Sequence, residues 1–103
     1  MSATFERVKA SHFQISGKLD RLSVPTLWDK RESLCCGEGI TYVDLSGLEH
    51  CDSAGMAFLF ELFACQSRHG RVLNFVNAPE QLMRLVEVSD LNDILLIEAA
   101  KAA

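Results

Sequence analysis

Tyr42-Val43-Asp44-Leu45-Ser46-Gly47-Leu48-Glu49-His50-Cys51-Asp52-Ser53-Ala54-Gly55 is the stretch on which the reading of this chain turns. The β-rich run Ile40 to Leu45 predicts a short, buried central strand. A loop follows, and Asp-Ser-Ala-Gly then opens a long apolar helix. This order places the Ser53 hydroxyl at a helix N-terminus beside the acidic Asp52. A hydroxyl there can cap the helix, receive a phosphate, or meet a partner protein.

Downstream, the spacing predicts a helix from about Ser53 to His69, roughly 25 Å long at about 1.5 Å per residue. Met56, Leu59, Phe60 and Phe63 form one stripe, which Phe58, Leu62 and Cys65 widen beyond a single face. A helix this apolar is buried on two sides or presents part of itself to a partner. Gly70 supplies the stop. Val72 to Val76 reads as the next strand. Asn77 with Glu80 reads as a capping box for a third helix, buried through Leu82, Leu85 and Val86. Ile94 to Ile97 is expected as a last edge strand.

Upstream, Phe5 to Ala10 and His12 to Ser16 read as two strands joined by a tight turn, with Phe13 and Ile15 on one face. Ser23 is a good N-cap for the first helix, with Pro25 tolerated in its first turn. Val24, Leu27, Trp28, Arg31, Leu34 and Cys35 follow helical spacing, and Gly37 and Gly39 close the element. Strands alternating with helices imply parallel pairing through right-handed crossovers, whereas the first two strands are expected to be antiparallel. The class is α/β, a small mixed sheet with helices packed mainly on one side. The 103 residues are read as one domain, 1–103.

Composition narrows the partners. The chain is 49% hydrophobic and 23% charged, with a formal net charge of −4. Scattered Lys and Arg in an acidic chain argue against nucleic acid, which selects a clustered basic face. Glu6, Arg7 and Lys9 interrupt any apolar core of a signal peptide. The most apolar run, Ala54 to Phe60, stops at Glu61, far short of the roughly 20 residues a bilayer needs. A cytoplasmic location is therefore expected. Cys35, Cys36, Cys51 and Cys65 fit neither a CxxC redox site nor a zinc knuckle, so reduced, structural thiols are expected.

Catalysis finds little support. A nucleophile elbow needs Gly two residues before the serine, where this chain has Cys51. His50, Asp52 and Ser53 lie too close in sequence to orient one another as a relay. Gly37-Glu38-Gly39 lacks the Lys-Ser/Thr ending of a phosphate loop. His12, His50 and His69 have no ligand spacing, so neither metal nor cofactor is expected. The minimum role of Ser53 is an N-cap, and small Ala54 and Gly55 beyond it leave room for close approach by another molecule. A phosphate on Ser53 would add about −1.5 to −2 charges, favoured by the helix dipole and opposed by Asp52.

Asp44-Leu45-Ser46 followed by Asp52-Ser53-Ala54-Gly55 at the start of an apolar helix resembles the signature of STAS domains, the anti-sigma-factor-antagonist fold. Gly17-Lys18-Leu19-Asp20 is similar to that family's Gly-Glu-Leu-Asp loop, with Lys18 in place of the acidic residue. The resemblance implies a non-enzymatic interaction module whose partner-binding or phosphorylatable positions are Ser53, Asp52, Ala54 and Gly55. Pro25 and the segment Leu27 to Glu32 resemble the first helix of the small STAS subunits of phospholipid-transporting ABC complexes. That narrower likeness implies an accessory subunit bound to an ABC transporter ATPase subunit, peripheral to the inner membrane through the complex, in a system maintaining outer-membrane lipid asymmetry. The alternative it leaves open is an anti-sigma factor antagonist, with a serine kinase/anti-sigma factor as partner and Ser53 as the switch.

Overall fold

Among the described residues five strands form a single sheet whose spatial order is the order of the chain. They are β1 (Thr4–Lys9), β2 (His12–Leu19), β3 (Ile40–Cys51), β4 (Val72–Ala78) and β5 (Ile97–Ala99). The computed structural model describes residues 3–9, 12–29, 40–90 and 95–99. β1 and β2 run antiparallel, and β2, β3, β4 and β5 are parallel neighbours, as the strand–helix alternation requires. Among the described residues three helices fill the crossovers: α1 (Val24–Trp28), α2 (Ser53–Arg68) and α3 (Glu80–Val88).

Alternation along the strands separates the two faces of the sheet. Phe13, Ile15, Val43, Leu45, Leu73 and Phe75 are buried on the helix-bearing face. Phe58, Leu59 and Leu62 of α2 and Leu82 and Val86 of α3 close over them. Each such Leu or Phe contributes about 1.5–3 kcal/mol relative to an exposed side chain. α1 docks through Leu27 and Trp28, whose ring lies 6.2 Å from that of Phe58. The widened apolar stripe of α2 is thus accounted for by burial on several sides, with Phe60 and Phe63 only half-buried.

The other face mixes polar side chains with the exposed apolar Ile40 and Val72. The row Glu6, Gln14, Asp44 and Val76 crosses four strands, and His12, Tyr42 and Asn74 form the row beside it.

Four local expectations are corrected. β3 continues to Cys51 instead of ending near Leu45. Gly47 lets β2 come close there: a Cβ on it would lie 2.7 Å from the Ser16 Cβ. The N-cap of α3 is Pro79, not Asn77, because Asn77 remains in β4 with φ 57 and donates its side-chain amide to Asp44 at 3.3 Å. Glu80, freed from a capping box, pairs with Arg84 one turn on at 2.6 Å. The Ser23 hydroxyl does not cap α1; it donates back to the Lys18 carbonyl at 2.8 Å and closes the loop after β2. Cys65, expected as a reduced thiol, is disulfide-bonded, a state that the spacing of the cysteines does not signal. The predicted continuation of α1 through Cys35, and Ile94 of the last strand, also lie outside the described residues.

Candidate functional site: the turn between β3 and α2

β3 ends at Cys51, whose backbone N–H donates to Gln81 Oε1 at 3.3 Å and ties the strand end to α3. The Gln81 amide nitrogen meets His50 Nδ1 at 3.3 Å. His50 is thereby turned to Gln81, and among the described residues no hydrogen bond joins it to Asp52 or Ser53. The Cys51 thiol is pushed up to about 12, first by burial and then by the Asp52 charge. It is protonated at neutral pH and is no nucleophile.

Asp52, not Ser53, is the N-cap of α2. Its backbone is extended, with φ −101 and ψ −171, and its Oδ1 accepts from Gly55 N–H at 3.0 Å. Its Oδ2 accepts from Arg21 N–H in the loop after β2 at 3.3 Å. Its own N–H donates to the Leu19 carbonyl at 3.3 Å. Asp and Ser are both strong N-caps and stand one residue apart, so sequence could not choose between them. The loop geometry does, because Asp52 alone satisfies a donor on each side.

Ser53 consequently becomes the first residue of the helix. It is exposed, and among the described residues its side chain makes no hydrogen bond. Ala54 behind it is half-buried. Gly55 is buried, and its smallness serves the inside of the molecule: a Cβ there would lie 2.1 Å from the Leu19 carbonyl oxygen and 2.9 Å from Cys51 Sγ. The four residues grouped by sequence therefore divide into a cap, an exposed hydroxyl, a spacer and a packing glycine.

Sequence reasoning missed the second half of this surface. Asp20 Oδ1 accepts from the N–H groups of Leu22 at 3.0 Å and Ser23 at 3.1 Å, which folds residues 20–23 into a tight turn. The Ser23 backbone hydrogen bond, foremost, holds the Asp20 carboxyl below its ordinary value. The turn lifts Leu22 into solvent at 81% exposure, while the Arg21 N–H bond to Asp52 holds the two loops together. The signal was present: Asp20 followed by Ser23 is an Asx-type turn sequence whose i+2 residue is Leu22.

A parallel strand running into a helix with a pinned cap and an exposed hydroxyl at the first helical position, on a sheet with helices on one face, is the architecture of STAS domains. The family described as "Mlab, STAS domain" matches residues 3–98, and the chain belongs to it. Among curated relatives, the anti-sigma-B factor antagonist of Bacillus subtilis (strain 168) is 29% identical over 85 residues, covering 82% of this chain and 78% of that protein. The intermembrane phospholipid transport system binding protein MlaB of Escherichia coli (strain K12) is 29% identical over 77 residues, covering 75% and 77%. The solved structure of the Bacillus cell fate determinant SpoIIAA in its phosphorylated form superposes with a TM-score of 0.71 at 15% identity, over 97% of this chain and 92% of that one. The unphosphorylated form gives 0.68 at 17% identity, over 97% and 90%. These structural likenesses speak for the fold.

Among the described residues no group of three or more His, Cys, Asp or Glu side chains is placed to hold a metal ion. No described helix is long and apolar enough to cross a membrane.

Proposed function

We propose that this chain, as a single domain over residues 1–103, is a non-enzymatic accessory subunit of a phospholipid-transporting ABC complex. In this reading it sits on the cytoplasmic side, binds and supports the ATPase subunit, and helps maintain outer-membrane lipid asymmetry. The observation that carries the contact is the exposed Ser53 hydroxyl, set on a turn whose other polar groups are used internally. Asp52 spends both carboxylate oxygens on the fold, so the turn offers a partner a hydroxyl, the small Ala54 and the neighbouring apolar Leu22. Little of it must be ordered on binding, which favours affinity. The likeness to MlaB supports the choice of complex.

Replacing Ser53 with Trp or Glu tests this reading. Co-expression with the ATPase subunit should show a loss of co-purification, while circular dichroism of the isolated variant matches wild type. Co-purification at normal stoichiometry would show that Ser53 is not at the interface.

The second reading is an anti-sigma factor antagonist whose Ser53 is phosphorylated by a serine kinase partner. The match to the Bacillus antagonist over 82% of this chain favours it, as does the accessibility of the hydroxyl. Intact-mass measurement after incubation with the cognate kinase separates the two. A single phosphate on Ser53 coupled to release of the kinase favours the switch, and an unmodified mass favours the transporter subunit.

A further inference from the structure

The open face of the sheet carries a second set of residues that the Ser53 turn does not use. Val8, His12, Phe13, Tyr42, Asp44, Val76 and Asn77 line a concavity of about 330 Å³, and Tyr42, Asp44 and Val76 among them alternate with the residues buried under the helices. That volume lies at the small end of the range for small-molecule sites, about 300–1,000 Å³. His12 and Tyr42 are register partners on β2 and β3, and their rings stack 5.1 Å apart at 17°. Each ring covers one face of the other, so the stacked pair offers a ligand its outer ring faces.

Asp44 supplies the charge. Its Oδ1 accepts from both Ser46 N–H at 2.8 Å and the Asn77 side-chain amide at 3.3 Å. The Ser46 side chain also interacts with this carboxyl, and Oδ2 accepts from no backbone N–H among the described residues. Partial burial pushes this carboxyl up, but the hydrogen bonds from Ser46 and Asn77 outweigh that and hold it below its ordinary value. It is therefore ionised at neutral pH. Because Asn77 donates through its nitrogen, its carbonyl oxygen is left as a further acceptor. Among the described side chains no Lys or Arg lines the concavity.

We infer that this concavity is a binding site for a small organic cation bearing a guanidinium group on an apolar tail. A guanidinium is planar and weakly hydrated, so it can lie along an aromatic surface while its N–H groups reach a carboxylate. Asp44 Oδ2 and the Asn77 carbonyl are the acceptors, the outer ring faces of His12 and Tyr42 the aromatic surface, and Val8 and Val76 the surface for the tail. A phosphate or carboxylate ligand would meet Asp44 with like charge and, among the described side chains lining the concavity, no Lys or Arg to offset it. The site is independent of the proposed function, since it shares no residue with the Ser53 turn.

The test is an NMR titration of the full chain with n-butylguanidinium chloride, with neutral n-butylurea as the control. Saturable shifts are expected at the amides of Tyr42, Asp44 and Asn77, with Ser53 to Gly55 unmoved, and weaker binding of the urea by about tenfold or more. Asp44→Asn, which keeps an acceptor for Ser46, should weaken the cation by about tenfold or more. Val8→Lys, at a strand position 57% exposed, should do the same by placing a competing charge at the rim. Absence of saturable shifts, equal affinity for the urea, or unchanged affinity in a folded D44N would overturn the proposal. If D44N does not fold, retained affinity in V8K overturns it instead.

Discussion

β3 carries one carboxylate near its middle, Asp44, and a second lies just past its end, Asp52; the fold uses them in opposite ways. Asp52 divides its two oxygens between Gly55 and Arg21, so both are consumed in joining a loop to a helix start. Asp44 gathers two donors on one oxygen and leaves the other without a backbone N–H donor among the described residues. The first arrangement makes an acidic residue structural and shifts the exposed chemistry to its neighbour Ser53. The second keeps a charge available on an otherwise solvated face. Sequence shows two aspartates, each followed by serine nearby. Only the placement of donors tells them apart.

The harshest way to break the contrast is at the packing that lets Asp52 do its work. Gly55→Ala forces a Cβ onto the Leu19 carbonyl and should destabilise the protein by about 3 kcal/mol, read as a lower urea midpoint with the m-value retained. If the midpoint does not move, the close approach of α2 to β2 is not as described. Removing the carboxylates themselves comes next. Asp52→Ala should cost about 2 kcal/mol, since it loses the cap and the Arg21 tie together. Asp44→Ala should cost about 1 kcal/mol, since its partners Ser46 N–H and Asn77 can turn to water. Equal losses in the same denaturation experiment would erase the distinction.

Titration is gentler because it takes charge away without atoms. Asp20 and Asp44 are both held below the ordinary carboxyl value of 3.8 in the folded protein. The unfolded chain therefore binds more protons than the folded one around and below that value. The stabilisation is complete above it and is lost as pH falls through the folded values. The urea midpoint should drop as pH falls below about 5 and go on dropping through the lowered folded values, and Asp20→Asn combined with Asp44→Asn should flatten that slope. A double variant with the wild-type slope would mean that other groups govern the acid limb. The smallest effect is expected at Ser53→Ala, within about 0.5 kcal/mol, because an exposed hydroxyl with no hydrogen bond contributes little to folding. A loss near 1–2 kcal/mol would restore Ser53 as the cap.

Much of the fold was legible because its strongest signals are local and repetitive. Phe13 and Ile15 in alternation, the apolar length of α2 and the stop at Gly70 left few other arrangements. The departures arose where one residue had two uses for the same capability. Asn77 caps well, but it also tolerates a left-handed backbone, and its amide was claimed by Asp44. Ser23 caps well, yet its hydroxyl closes the loop before the helix begins. Gly47 breaks strands, yet here its missing Cβ lets β3 pass close to Ser16. The candidate site was legible as a place and not as a division of labour: the Asp-Ser-Ala-Gly turn was found, but Leu22 and Arg21 belong to it through space. Gln66 shows the same limit in the core, where its amide meets Thr41 at 3.4 Å from a position that helical spacing alone assigns no role.

The missing side chain at Gly55 also has a mechanical consequence. With nothing between the first turn of α2 and the Leu19 carbonyl, the helix sits against backbone as against a hard stop, and there is no side chain there to compress. A sideways push on the first turn of α2 is delivered to the end of β2, an interior strand of the sheet. A partner pressing on this turn meets the stiffness of the whole sheet.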